Sequence, residues 1–148
     1  MKKSLIALAV LAASGAAMAQ SSVTLYGVAD LWVGKVNKND VAAGDDGLAS
    51  SRLGFKGTED LGGGLKVGFQ LEQGLDLSNG ATETETFARQ ANLSLMGGFG
   101  TVKVGRSGTA MDDVFGAANS GFDSALSANA VWQNGYTDHA DAQLYYAT

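Results

Sequence analysis

The sequence has 148 residues but no cysteine, no proline and a single histidine, His139. Without cysteine there is no disulfide scaffold, no thiolate metal site and no cysteine nucleophile, and one imidazole leaves little for general acid–base chemistry. Motifs of catalysis are missing as well. Gly105-Arg106-Ser107-Gly108 lacks the spacing of a nucleophile elbow, Gly62-Gly63-Gly64 lacks the Lys-Ser or Lys-Thr pair of a phosphate-binding loop, and Asp45-Asp46-Gly47 lacks the alternating oxygen ligands of a calcium loop. The expectation is a non-enzyme with no cofactor and no metal. Basic residues are also scarce: 10 Lys and Arg stand against 15 Asp and Glu, a net charge of −5. Nucleic acid is therefore a poor partner. Beyond Gln20 no stretch of about 18 uncharged apolar residues occurs, which excludes a helical membrane protein. What is present is 21 glycines in a chain that is 45% hydrophobic, too irregular for collagen and too apolar for a disordered tail. A folded, glycine-rich, all-β chain remains.

The amino end has the grammar of a secretion signal. Lys2 and Lys3 supply a positive start, Leu5 to Ala13 is apolar, and Gly15 precedes the small-residue site Ala17-Met18-Ala19. The alternative, a membrane-anchoring helix, needs about 20 apolar residues, far more than this run supplies. Residues 1–19 are read as a cleaved signal peptide. Losing Lys2 and Lys3 with it takes the net charge from −5 to −7.

The rest of the chain is organised by period two. Val23, Leu25, Gly27, Ala29, Leu31 and Val33 form one apolar face, and Leu65, Val67, Phe69 and Leu71 alternate with Lys66, Gly68, Gln70 and Glu72. Counting Val23–Lys35, Ser51–Thr58, Leu65–Gln73, Phe87–Leu95, Thr101–Arg106, Ala128–Gln133 and Asp141–Thr148 predicts about seven strands. The connections between them alternate in length. Those around Gly62-Gly63-Gly64 and Gly97-Gly98 are tight, whereas Asn37–Ser50, Asp76–Thr86 and Ser107–Ala128 are long and polar. A soluble sandwich with one wet face also alternates. The signal sequence, the absence of proline, strands approaching the roughly 9 to 11 residues that cross a tilted bilayer, and the alternating loop lengths favour a transmembrane antiparallel β-barrel.

Two stretches carry a resemblance. Val23-Thr24-Leu25-Tyr26-Gly27-Val28-Ala29-Asp30 directly follows the cleavage site, and Ser51-Arg52-Leu53-Gly54-Phe55-Lys56-Gly57-Thr58-Glu59-Asp60-Leu61-Gly62-Gly63-Gly64-Leu65-Lys66 follows later. With Phe69-Gln70-Leu71-Glu72, Arg89-Gln90-Ala91 and Phe99-Gly100-Thr101-Val102-Lys103-Val104-Gly105-Arg106, they closely resemble the Gram-negative general-diffusion porins. The resemblance implies a homotrimer of 16-stranded barrels in the outer membrane. Each barrel would be a water-filled channel for passive diffusion of small hydrophilic solutes and ions, narrowed by a third outer loop folding inward. That loop corresponds to about residues 107–128. In the family its acidic groups stand opposite a ladder of lumen-facing arginines. By this likeness the pore-lining or constriction residues are Arg52, Lys56, Lys66, Arg89, Asp112 and Asp113, and opposed charges across a narrow aqueous gap would select solutes by size and charge.

Two features depart from the pattern. Around Arg89 the odd positions Ala91, Leu93 and Leu95 are apolar and the even positions Gln90, Asn92 and Ser94 polar, so Arg89 in strict alternation falls on the wrong face unless a bulge intervenes. A water-conducting porin also needs roughly 16 to 18 strands. Residues 20–148 are accordingly read as the amino-terminal part of such a barrel. The competing readings are a secreted or surface β-domain that binds a protein or glycan, and a truncated porin without function.

Overall fold

The computed structural model describes residues 22–36, 40–118 and 137–148. The signal sequence, the strand expected over Ala128–Gln133 and the second half of the Ser107–Ala128 connection lie outside the described residues. Among the described residues the strands are β1 (Ser22–Val28), β2 (Leu31–Val36), β3 (Asp40–Asp45), β4 (Arg52–Gly62), β5 (Leu65–Asp76), β6 (Ala81–Thr82), β7 (Gln90–Gly97), β8 (Gly100–Gly108) and β9 (His139–Ala147), with a helix, α1 (Ala110–Ala118), after β8. Every pairing is antiparallel. The main sheet runs β1-β4-β5-β7-β8-β9 with β6 on the end of β5, and β2 pairs with β3 in a separate two-stranded sheet. No helix among the described residues is long and apolar enough to cross a membrane.

The tight turns match their chemistry. Gly62, Gly63 and Gly64 all have positive φ, a run that side chains would strain, and they join β4 to β5 in one reversal. Three boundaries differ from the sequence expectation. The single strand expected over Val23–Lys35 is two strands, because the Ser51 hydroxyl accepts the Asp30 N–H at 2.9 Å and takes that group out of the ladder between β1 and β4. The Asp30 carboxylate in turn accepts N–H groups from Gly47 (3.1 Å), Leu48 (2.8 Å) and Ala49 (2.9 Å). The Asn37–Ser50 connection contains β3. Its sequence, with Val41 as its one β-branched residue, shows no alternation of its own, and it is extended because β2 supplies a partner. The Ser107–Ala128 connection contains helix α1. Thr109 caps it, accepting the Asp112 N–H on its side chain at 3.2 Å, and Asp112 and Asp113 sit in the first turn where the helix dipole favours negative charge.

Burial is inverted relative to a water-soluble protein. Among the described residues Ala88 is the one buried hydrophobic side chain, whereas Ser51, Glu72, Asn92 and Ser107 are buried polar ones. The register explains this row by row. One face carries Val23, Gly57, Phe69, Leu93, Val104 and Leu144 in a line across six strands, followed by Val67, Leu95, Val102 and Tyr146. Val23, Leu25, Leu93, Val104 and Leu144 are all more than half exposed there. The opposite face carries Thr24, Lys56, Gln70, Asn92, Gly105 and Gln143 in one row and Ser22, Thr58, Gly68, Ser94, Lys103 and Tyr145 in the next. An exposed apolar band of this extent needs a non-aqueous neighbour.

Candidate functional site

The polar face gathers its charges near the end of the sheet where the long connections lie. Arg52 opens β4 opposite Gly74, and Glu72 lies on β5 between Gly54 and Gln90. The Glu72 carboxylate, 7% exposed, takes the Arg89 Nε at 2.8 Å, has the Arg52 Nε at 3.9 Å and accepts the Tyr26 hydroxyl at 2.8 Å. Tyr26 is on β1, two strands away. It reaches Glu72 because Gly54 stands between them: a Cβ at Gly54 would overlap the tyrosine ring. The same ring carries the Lys56 ammonium at 5.2 Å from its centroid, and Gln70 donates to the Tyr26 hydroxyl at 2.8 Å. Two arginines thus flank one carboxylate, and a third cation, Lys56, sits on the face of the tyrosine that bonds to it. Arg52 also donates to the Ser50 carbonyl at 2.8 Å, which fixes its direction.

Arg89 resolves the conflict in its alternation. It precedes β7, which starts at Gln90, so it stands outside the strand whose period Ala91, Leu93 and Leu95 follow, and its side chain reaches the Glu72 carboxylate. Gln90, Asn92 and Ser94 then share the polar face with Arg89's partner Glu72.

The remaining predicted site residues are dispersed. Lys66 shares the polar face but is eight residues along β5 from the partner of Arg52, roughly 26 Å at strand rise. Asp113 is not brought to Arg52. It accepts the Tyr145 hydroxyl at 2.8 Å, on β9, four strand positions from β4. Asp112 is one residue before it in the same turn of α1, with its carboxylate beside Gly108. The sequence reading missed Glu72 and Tyr26 as members of the cluster. Their alternation placed them on one face, but only the register reveals that Gly54 lies between them.

Around this site the turn at 46–51 is fastened by acidic groups outside the strands. The Leu48 N–H, with those of Ala49 and Gly47, holds the Asp30 carboxyl below the usual carboxylate range. Partial burial, with Asp45 adjacent, pushes the Asp46 carboxyl above it, against the Ser51 N–H and nearby Arg89. Farther along the polar face a shallow cavity of about 450 Å³ opens between Lys56 and Lys103, over Gly68 and Ser94. Among the described residues no group of three or more His, Cys, Asp or Glu is placed to hold a metal ion.

Comparison with known proteins agrees with this geometry. The sequence profile of the family described as Gram-negative porin matches residues 5–148. The chain is similar to outer membrane porin protein 32 of Delftia acidovorans, 58% identical over an alignment of 113 residues, with 72% of this chain and 32% of that protein covered. It is 39% identical over 142 residues to an outer membrane porin protein of Bordetella pertussis, covering 79% and 36% of the two chains. With major outer membrane protein P.IB of Neisseria gonorrhoeae it shares 44% identity over 115 residues, 71% of this chain and 32% of the other. Among solved structures it resembles the anion-selective porin from Comamonas acidovorans with a TM-score of 0.59 and 35% identity, covering 73% of this chain and 33% of that one. The chain spans about a third of the length of the relatives it matches.

Proposed function

Since the chain belongs to the Gram-negative porin family, we propose that it forms part of the wall of a water-filled outer-membrane channel through which small hydrophilic solutes and ions diffuse passively, without catalysis. The carrying observation is the two-faced sheet. Its apolar rows are exposed and its buried groups are polar, which suits a wall with hydrocarbon on one side and water on the other. A secreted soluble domain would leave Val23, Leu93, Val104 and Leu144 in water. On this reading Arg52, Lys56 and Arg89 line the passage near its narrow part, Lys66 lines it nearer the short-turn end, and Asp112 and Asp113 belong to the connection that folds inward. Residues 20–148 are the amino-terminal part of the barrel, residues 1–19 the exported leader, and the working unit a homotrimer, as the likeness to general-diffusion porins implies.

Arg52 and Arg89 at one carboxylate, with Lys56 and Lys103 farther along the same polar face, support a preference for anions. The test is the zero-current potential of the intact protein in a planar bilayer under a tenfold potassium chloride gradient. Its sign should report chloride as the more permeant ion. A cation-selective channel would refute the proposed role of the cluster, and the absence of any channel would refute the whole reading.

A further inference from the structure

Helix α1 is nine residues long, and a helix of fewer than about 12 to 15 residues is marginal in water unless contacts hold it. Two attachments are present. At its base Thr109 donates its N–H to the Asp138 carbonyl at 2.8 Å and its hydroxyl to the Thr137 carbonyl at 2.9 Å, which ties the start of the helix to the entry of β9. The second is farther along. Tyr145 lies six residues into β9 from His139, on the polar face opposite Lys103, and its hydroxyl donates to the Asp113 carboxylate at 2.8 Å. The Lys103 ammonium sits 5.2 Å from the centroid of the same ring. A contact that far down the strand requires the first turn of α1 to bend back along the sheet. A helix projecting away from the sheet end could not make it.

We propose that Tyr145 is a positioning residue: through Asp113 it fixes α1 against the polar face and thereby sets how far that helix stands into the passage. The ring is oriented by Lys103 from one side and the carboxylate is held at its tip, so the latch is one hydroxyl on a braced aromatic. The proposal rests on the channel reading above, but the docking of α1 is measurable without it.

The test uses the intact protein. Tyr145→Phe removes the hydroxyl alone, leaving the ring, the Lys103 contact and the strand register in place. A hydrogen bond to an ionised group corresponds to about a tenfold change in the ratio of docked to undocked helix. Amide hydrogen exchange over residues 113–118 should therefore speed up about tenfold in Tyr145→Phe and equally in Asp113→Ala. Asp113→Asn, which retains an acceptor oxygen, should show a smaller change. In the bilayer, Tyr145→Phe should change unit conductance and raise open-channel noise. Wild-type exchange rates in Tyr145→Phe would overturn the latch, as would acceleration in Asp113→Ala alone. Faster exchange with unchanged conductance and noise would overturn the claim that the helix sets the passage. A wild-type protein that forms no channel, with exchange shifting as expected, would count against the channel reading and leave the latch standing.

Discussion

Glu72→Gln changes the charge of the polar-face cluster with the least change of shape. The side chain is 7% exposed and spans Arg89, Arg52 and Tyr26, and a carboxamide of the same size can still accept from Arg89 and meet the Tyr26 hydroxyl. What disappears is the one negative charge between two arginines. For an ion passing about 7 Å away in water, one unit charge is worth about 0.6 kcal/mol unscreened and about 0.3 kcal/mol with a Debye length near 10 Å at 0.1 M salt. That raises anion occupancy about 1.6-fold and lowers cation occupancy as much, so the permeability ratio should move about threefold toward anions. At 1 M salt the Debye length is about 3 Å and the same arithmetic leaves a shift of only about 1.2-fold. Reversal potentials of wild type and variant at both salt concentrations provide the assay. A ratio that stays put at 0.1 M, or moves toward cations, would show that Glu72 does not border the conducting path. A shift equal at both salt concentrations would show that its effect is not electrostatic.

Two further outcomes follow from the faces and the turns. Phe69→Lys, on the row shared with Val23, Leu93, Val104 and Leu144, should cost roughly 2 to 4 kcal/mol in guanidinium unfolding from lipid vesicles. Gln70→Lys, one residue along on the opposite face, should cost little, and equal costs would reverse the assignment of faces. Because the folded Asp30 carboxyl titrates below its ordinary value, its hold on the 47–49 turn is complete above the unfolded pKa of about 4 and is lost as pH falls through the folded one. Amide exchange at Leu48 and Ala49 should accordingly lose protection in acid. Asp30→Asn should be less protected at pH 6, and an unchanged pattern in that variant would exclude the carboxylate as the fastening group.

Much of the sheet was legible because period two is a local property: Leu65 to Glu72 alternates within eight residues, and β5 occupies Leu65–Asp76 with those two faces. Register is not local. That Tyr26 meets Glu72 across Gly54 depends on the offset between three strands, so the cluster's carboxylate was assigned to a face but not to a site. The conflict around Arg89 stayed open for a related reason: whether the alternation of Ala91, Leu93 and Leu95 extends back to Arg89 depends on where β7 starts, at Gln90, which the apolar pattern does not mark. The strand break at Asp30 and the existence of β3 were hidden because side chain to backbone bonds and a partner strand decide them, not the apolar pattern. Helix α1 was hidden by its shortness and its glycine, Gly116; the cap at Thr109 and the acidic pair Asp112 and Asp113 behind it are the signals that could have found it.

Between β1 and β4 the chain makes an excursion over residues 29–51, and its two ends meet at one point. The Ser51 hydroxyl, 1% exposed as a residue, accepts the Asp30 N–H at 2.9 Å and lies 3.1 Å from the Asp30 carbonyl, while the sheet resumes at once with Val28 paired to Arg52. Fastened at its neck, the excursion is a cassette. Among the described residues the β2–β3 pair beyond the neck shares no ladder with the main sheet, so substitutions within that pair leave the main sheet's pairing untouched. That separation lets the excursion change without re-solving the fold of the main sheet, whose strands are set by their own register.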